Sequence, residues 1–127
     1  MITELSENQI FVFGSNLAGI HAGGAAKQAH EQFGAIWGQG EGIQGQSYAF
    51  PTLTKSFKKV TPVTLVCNAT RLFKCCEDNP DKEFLLTRVG CGIAGFQDED
   101  IRPLFENHPN NLILPEEWRS VEQKEGK

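Results

Sequence analysis

The sequence predicts a single α/β domain with three layers, in which helices cover both faces of a mostly parallel sheet. Short apolar runs alternate with helical segments along the 127 residues, and this alternation is typical of parallel sheets. Two glycine-rich segments, residues 14–26 and 90–96, each follow an apolar run and precede a helical segment. We assign residues 1–121 to the domain and expect residues 122–127 to form a flexible tail.

The first part of the chain predicts two strands and one helix. Residues 9–13 (Gln-Ile-Phe-Val-Phe) combine β-branched and aromatic side chains and predict a buried strand. Residues 24–33 favour a helix, and the glycine that follows them favours its C-terminal cap. Residues 35–45 are rich in glycine and glutamine and predict a loop. A second strand is expected over residues 46–50, stopped by the proline that follows.

A long helix is predicted next. It begins at Pro62, because proline is tolerated in the first helical turn, and ends at residues 79–80 (Asn-Pro). The β-branched residues 63–65 leave a strand as the alternative there. Side chains recur at helical spacing on one face: Val63, Val66, Cys67, Thr70, Phe73 and Lys74. Three cysteines lie on this helix and lack the C-x-x-C spacing of a zinc site: Cys67, Cys75 and Cys76.

The last part of the chain predicts two strands and a short helix. Residues 83–89 form the clearest strand and lead directly into the second glycine-rich segment. The acidic residues 98–100 begin a short helix, and residues 111–114 form the last strand. In the resulting β-α-β-α-β-α-β order, both glycine-rich segments lie at the carboxyl ends of strands, together with a turn at Pro51-Thr52. Parallel sheets bind their ligands at that end.

Composition excludes several classes of function. The net charge is −4, whereas a general nucleic-acid binder needs a clustered basic surface. Residues 55–59 carry three lysines and are interpreted as a solvated loop. No apolar run is long enough to span a membrane, and residues 1–8 do not resemble a secretory signal. We therefore expect a cytoplasmic protein with reduced cysteines and a small-molecule partner, without a nucleic-acid duplex, membrane, metal or cofactor.

The first glycine-rich segment (residues 14–26, the first glycine segment) fits an anion site at a helix start. Asn16 either holds a ligand hydroxyl through its carboxamide or only closes an Asx turn. His21 is a candidate general base or phosphate donor, or else an exposed polar residue. The segment lacks G-x-G-x-x-G and has no following Gly-Lys-Ser/Thr, so Rossmann and Walker A sites fit poorly. Its candidate ligand-binding residues are Gly14, Ser15, Asn16, Gly23, Gly24 and Ala25.

The second glycine-rich segment (residues 90–96, the second glycine segment) carries the stronger motif. Its glycines leave backbone amides able to surround an anion. Phe96 either stacks on a sugar or packs into the core, and Cys91 is either a nucleophile or a small packing residue. The candidate ligand-binding residues here are Gly90, Cys91, Gly92, Ile93, Ala94, Gly95 and Phe96, joined by Thr52.

Together these motifs resemble those of macro domains. In the first motif an asparagine precedes a glycine run that opens a helix, and in the second a loop contains Gly-Ile, a further glycine and a final aromatic residue. The resemblance covers roughly residues 10–105 and implies an α/β/α domain that binds ADP-ribose or a close relative. It implies that Asn16 contacts the distal ribose, with Gly23 and Gly24 near that ribose and the diphosphate. It also implies that residues 92–95 surround the diphosphate and that Phe96 lies against the ribose.

Some members of that family hydrolyse ADP-ribose esters or remove a 1″-phosphate, and others only bind. In the hydrolysing members the chemistry rests largely on a positioned water and on the ligand's own phosphate. We therefore take Asn16 and His21 as the catalytic candidates and an ADP-ribosylated molecule as the possible substrate. The alternatives are a non-catalytic module for another nucleotide or signalling metabolite, and an oligomeric interaction protein whose loops only turn the chain.

The chain also departs from the family pattern in the residues expected to recognise the nucleobase. The family has an early acidic residue for adenine, and this sequence offers only Glu4 or Glu7. The glutamine-rich loop adds three residues that can read a different base or group: Gln39, Glu41 and Gln44.

Overall fold

The computed structural model describes residues 2–119, so the predicted tail at residues 122–127 lies outside the described residues. The elements are β1 (Gln9–Asn16), α1 (Gly24–Gln32), β2 (Gly42–Gln44), β3 (Ser47–Leu53), α2 (Pro62–Asp78), β4 (Glu83–Leu86), α3 (Asp98–Ile101), a 3₁₀ helix (Arg102–Phe105) and β5 (Leu112–Ile113). The predicted α/β class is confirmed. In the described part of the chain, no helix has both the length and the apolar character needed to span a membrane.

The five strands form one mixed sheet in the order β2-β3-β1-β4-β5. The central strand β1 pairs in parallel with β3 and with β4, and β4 pairs in parallel with β5. Strand β2 runs antiparallel to β3. It lies inside residues 35–45, which the sequence predicted as a loop, and a tight turn at Gly45 (φ 61°) joins the two strands. Three residues are too few to show a strand periodicity, so the hairpin was missed.

Several strand ends differ from the prediction. Strand β1 continues to Asn16, three residues beyond its predicted end, and β5 covers only Leu112–Ile113 of the predicted residues 111–114. Strand β3 continues through Pro51, which pairs with Ser15 of β1. The carbonyl of Pro51 accepts a hydrogen bond from Asn68 Nδ2 at 2.9 Å, so α2 supports the strand at this point. Strand β4 ends at Leu86 rather than at residue 89. Both the amide and the hydroxyl of Thr87 then donate to Val12 O, at 3.1 and 2.7 Å.

Two hydrophobic clusters meet along β1. Ile10 and Val12 belong to a cluster with Leu65 and Leu72 of α2. Phe11 and Phe13 belong to a second cluster, which includes alanines of α1. Successive residues of a strand point to opposite faces of the sheet, so the alternation of apolar side chains along β1 divides the core between the two helices.

Helix α2 forms as predicted, with Thr61 as its N-cap and Pro62 in its first turn. Val63 and Val66 are 72% and 54% exposed. The buried residues are Leu65, Asn68, Ala69, Leu72 and Cys76. Asn68 is the polar member of this buried set. It is buried because Pro51 O accepts its amide and Arg71 Nη1 donates to its carbonyl at 2.7 Å.

Candidate functional site

The two glycine segments meet at one cleft of about 510 Å³, a volume typical of small-molecule sites. Its lining includes residues 14–16, 23–25, 52 and 90–94, all of which were predicted as ligand-binding. Gly95, Phe96 and His21 were also predicted, but they are not among the lining residues. The cleft forms here because β1 and β4 are parallel neighbours, so the segments that follow them emerge side by side.

Two glycines allow this close approach. A Cβ on Gly14 would lie 3.2 Å from the amide nitrogen of Gly90, which is tighter than side chains normally allow. Gly90 has φ +81°, and its own Cβ would lie 3.0 Å from Cδ2 of Phe96. Gly92 differs from both, because a Cβ there has no heavy atom within 4 Å and its φ is ordinary. Gly14 and Gly90 therefore shape the cleft, whereas Gly92 leaves space in it.

Backbone amides are the main polar groups that the segments offer. The second glycine segment is closed by its own hydrogen bonds, Phe96 N to Gly90 O at 2.8 Å and Gly95 N to Gly92 O at 3.0 Å. Among the described residues, no protein acceptor receives a hydrogen bond from the three amides of residues 92–94. The first turn of α1, which follows its N-cap Gly23, lines the same cleft and holds no acidic residue. Two groups of amides therefore face one space.

The polar side chains next to β1 bond to backbone atoms. The Asn16 carboxamide donates to Ile20 O at 2.9 Å and accepts from Ile20 N at 3.0 Å, which is the turn-closing alternative for this residue. Ser15 Oγ donates to Gly40 O at 2.5 Å, and Thr52 Oγ1 donates to Ser15 O at 3.3 Å. These side chains line the cleft, but their hydrogen bonds are structural: Asn16 closes a turn, Ser15 holds the loop at Gly40, and Thr52 links β3 to β1.

His21 lies away from the cleft and is 1% exposed. Its Nε2 is 2.8 Å from Ile36 O and 3.1 Å from Gln39 O, so Nε2 carries the hydrogen and donates. Its Nδ1 is buried and has no hydrogen-bond partner within residues 2–119. The ring also meets Phe13 edge-on, with centroids 5.3 Å apart. In this position His21 anchors the loop after α1 and does not itself line the cleft, although Ile20 and Ala22 do.

Arg88 is a cleft residue that the sequence interpretation missed. It is the one charged residue among the described residues that line the cleft. Its guanidinium donates to Asp98 through Nε at 3.0 Å and Nη2 at 2.7 Å. Trp118 Nε1 donates to the same carboxylate at 2.8 Å. The sequence shows an arginine two residues before Gly90 and acidic residues at 98–100. It does not show which acidic residue is the partner of Arg88, because that depends on the fold.

The hydrogen bonds of Asp98 shift its own pKa and contribute to the pKa of the Cys91 thiol. The hydrogen bonds from Arg88, and then from Trp118, lower the pKa of Asp98 to about 2. Burial, followed by the hydrogen bond from its Sγ to Asp98 Oδ1 at 3.5 Å, raises the pKa of Cys91 to about 11. The Cys91 thiol is therefore protonated at neutral pH, which favours the packing role over the nucleophile.

The remaining candidates lie elsewhere. Phe96 is half-buried against the core, and Lys59 Nζ lies 4.9 Å from its ring centroid. Gln44, the last residue of β2, is 2% exposed and bonds to the backbone at Ile36 and Gln39, while the side chain of Gln39 donates to Glu41 O. Glu41 pairs with Arg71 at 3.1 Å. Glu4 and Glu7 are exposed and do not line the cleft.

The cleft thus combines uncommitted backbone amides with one fixed guanidinium. Among the described residues, no group of three or more histidine, cysteine, aspartate or glutamate side chains is arranged to hold a metal ion. Comparison with protein-family models, with curated proteins and with solved structures gives no match for this chain.

Proposed function

We propose that this chain binds ADP-ribose or a related nucleoside diphosphate sugar in the cleft between the two glycine segments. The observation that carries the proposal is the pair of amide groups, from residues 92–94 and from the first turn of α1, that line one space. Amides of this kind and the positive end of a helix bind phosphate oxygens. The proposal includes a three-layer, macro-like fold, which the two clusters meeting along β1 support.

Arg88 supplies a charge for the diphosphate. Its side chain is 44% exposed, so it keeps access to solvent and ligand while Asp98 fixes its position. A fixed guanidinium recognises a phosphate with less loss of side-chain entropy than a mobile one. The amides of the second glycine segment bind the remaining phosphate oxygens in this arrangement.

A second candidate is a module that binds a nucleotide or signalling metabolite without turnover. The positions of the reactive side chains favour it. Asn16 is committed to Ile20, His21 is buried outside the cleft, and the Cys91 thiol is protonated. Hydrolysis of an ADP-ribose derivative, in the first candidate, therefore uses a water positioned by the cleft and the ligand's own phosphate.

Calorimetry with ADP-ribose tests the binding site through Gly92→Glu. The new side chain has space, so the fold is expected to persist with a Tm within about 2 °C of the wild type. Its carboxylate repels the diphosphate, and we expect the affinity to fall at least about tenfold. Gly92→Ala is the matched control, since it adds a Cβ without charge and should retain most of the affinity.

Two results separate the possibilities. Wild-type protein that releases no heat with millimolar ADP-ribose, or a Gly92→Glu variant that binds as the wild type does, contradicts the proposed site. Phosphate release from ADP-ribose 1″-phosphate and product release from an ADP-ribose ester, both measured on the same preparations, separate an enzyme from a binding module. Binding without release supports the second candidate.

A further inference from the structure

Phe57 occupies an unfavourable backbone conformation in the turn between β3 and α2. With φ 64°, it is the one non-glycine residue of the described chain in the left-handed region. Its amide donates to Thr54 O at 3.0 Å, and Thr54 N donates to Lys58 O at 2.7 Å, so the turn is fixed by hydrogen bonds. Turns of this form place glycine at that position, because a side chain there is strained.

The Phe57 side chain is not packed in the core, so burial of its ring does not offset the backbone strain. Phe57 is 53% exposed and belongs to neither hydrophobic cluster. It lines the cleft together with the two glycine segments. The same turn is packed against the second glycine segment, since Lys59 lies over the Phe96 ring and its Cε is 3.7 Å from a Cβ built on Gly95. Phe57 therefore lines the cleft with a half-exposed side chain, at a local conformational cost.

The cleft around Phe57 has the chemistry of a site for a flat apolar ring. Among the described residues that line it there is no carboxylate to read a base by hydrogen bonding. Ile93, which is 80% exposed, also lines it. Aromatic side chains bind bases by stacking, and this mode tolerates different bases.

The geometry points to Phe57 as the base-stacking residue of the site. Resting on the proposed function, the inference is that the nucleobase stacks on the Phe57 ring while the diphosphate lies on the amides. Base specificity is then weak, because stacking replaces a hydrogen-bonded acidic reader.

Phe57→Gly tests this inference because it removes the ring and relieves the backbone at once. We expect the Tm to stay the same or rise, since glycine is the favoured residue at a positive φ. The affinity for ADP-ribose should fall about tenfold or more, as expected for one lost base–aromatic stack. A fluorescent etheno-adenine analogue of ADP-ribose should be quenched when bound to the wild type and unquenched when it saturates the variant.

Two controls keep the result specific. Phe57→Tyr retains the ring, so affinity and quenching should match the wild type. Ile36→Ala removes an apolar side chain of nearly equal exposure, 52%, that does not line the cleft, and it should change neither.

The outcomes are distinguishable from those of the proposed function. Absence of ADP-ribose binding by the wild type overturns the proposed function and this inference with it. Wild-type binding together with unchanged affinity or unchanged quenching in Phe57→Gly overturns the inference alone.

Discussion

At the scale of single residues, Asp98 holds the guanidinium of the cleft residue Arg88 in position. Its carboxylate accepts from both Nε and Nη2 of Arg88 and from Trp118. One acidic side chain therefore links Arg88, two residues before the second glycine segment, to the C-terminal part of the described chain. An aspartate that receives three such donors stays ionised well below its usual pH range.

The lowered pKa of Asp98 predicts that the folded protein loses stability in acid. Its folded-state pKa of about 2 lies below the ordinary value of 3.8, so the unfolded chain binds its proton first. Its contribution is therefore complete above about pH 4 and is lost as the pH falls towards 2. Urea unfolding between pH 2 and 7 should show a decline of about 1 kcal/mol in the wild type, after allowance for solvent screening, that Asp98→Asn lacks. Equal pH dependence in the two proteins would contradict this role.

At the scale of elements, α2 shows how a polar residue can share a buried apolar face. Leu72 lies in the core and Val66 faces solvent, while Asn68 bonds to Pro51 O from the buried face. Leu72 is 0% exposed, and Leu72→Ala should lower the free energy of unfolding by about 2–5 kcal/mol through the cavity it leaves. Val66→Ala, the matched control on the opposite face, should change it by about 0.5 kcal/mol or less. Denaturant unfolding measures both, and similar losses would place the buried face elsewhere.

At the scale of the whole molecule, the site exists only where two distant segments meet. The parallel pairing of β1 with β4 joins the first glycine segment to the second. ADP-ribose should therefore slow amide hydrogen exchange in residues 92–94 and in the first turn of α1 at the same ligand concentration. Mass spectrometry can follow both, with peptides from α2 as an unaffected reference. Protection of one segment alone would show that the ligand does not bridge them.

The sequence predicted much of this arrangement because the relevant signals are local. The apolar run before Gly14 and the helical residues after Gly23 act within a few positions, through backbone sterics and side-chain periodicity. They were sufficient to predict the α/β class, the main helices and twelve residues of the cleft lining. Strand β2 was not predicted because its three residues show no period. Strand β3 continues through Pro51 because its antiparallel pairing with β2 ends at Ala49, and a proline is tolerated where a strand has no neighbour on one side.

What the sequence alone determined is the order of the main strands and helices and the glycine segments that follow two strands. The tertiary structure alone decided which side chains serve the cleft. In the folded chain His21 is buried and Asn16 bonds to the backbone of Ile20. Arg88 and Phe57 line the cleft instead. The physical reason is that a backbone conformation depends on near neighbours, whereas the partner of a polar side chain is set by residues far along the chain.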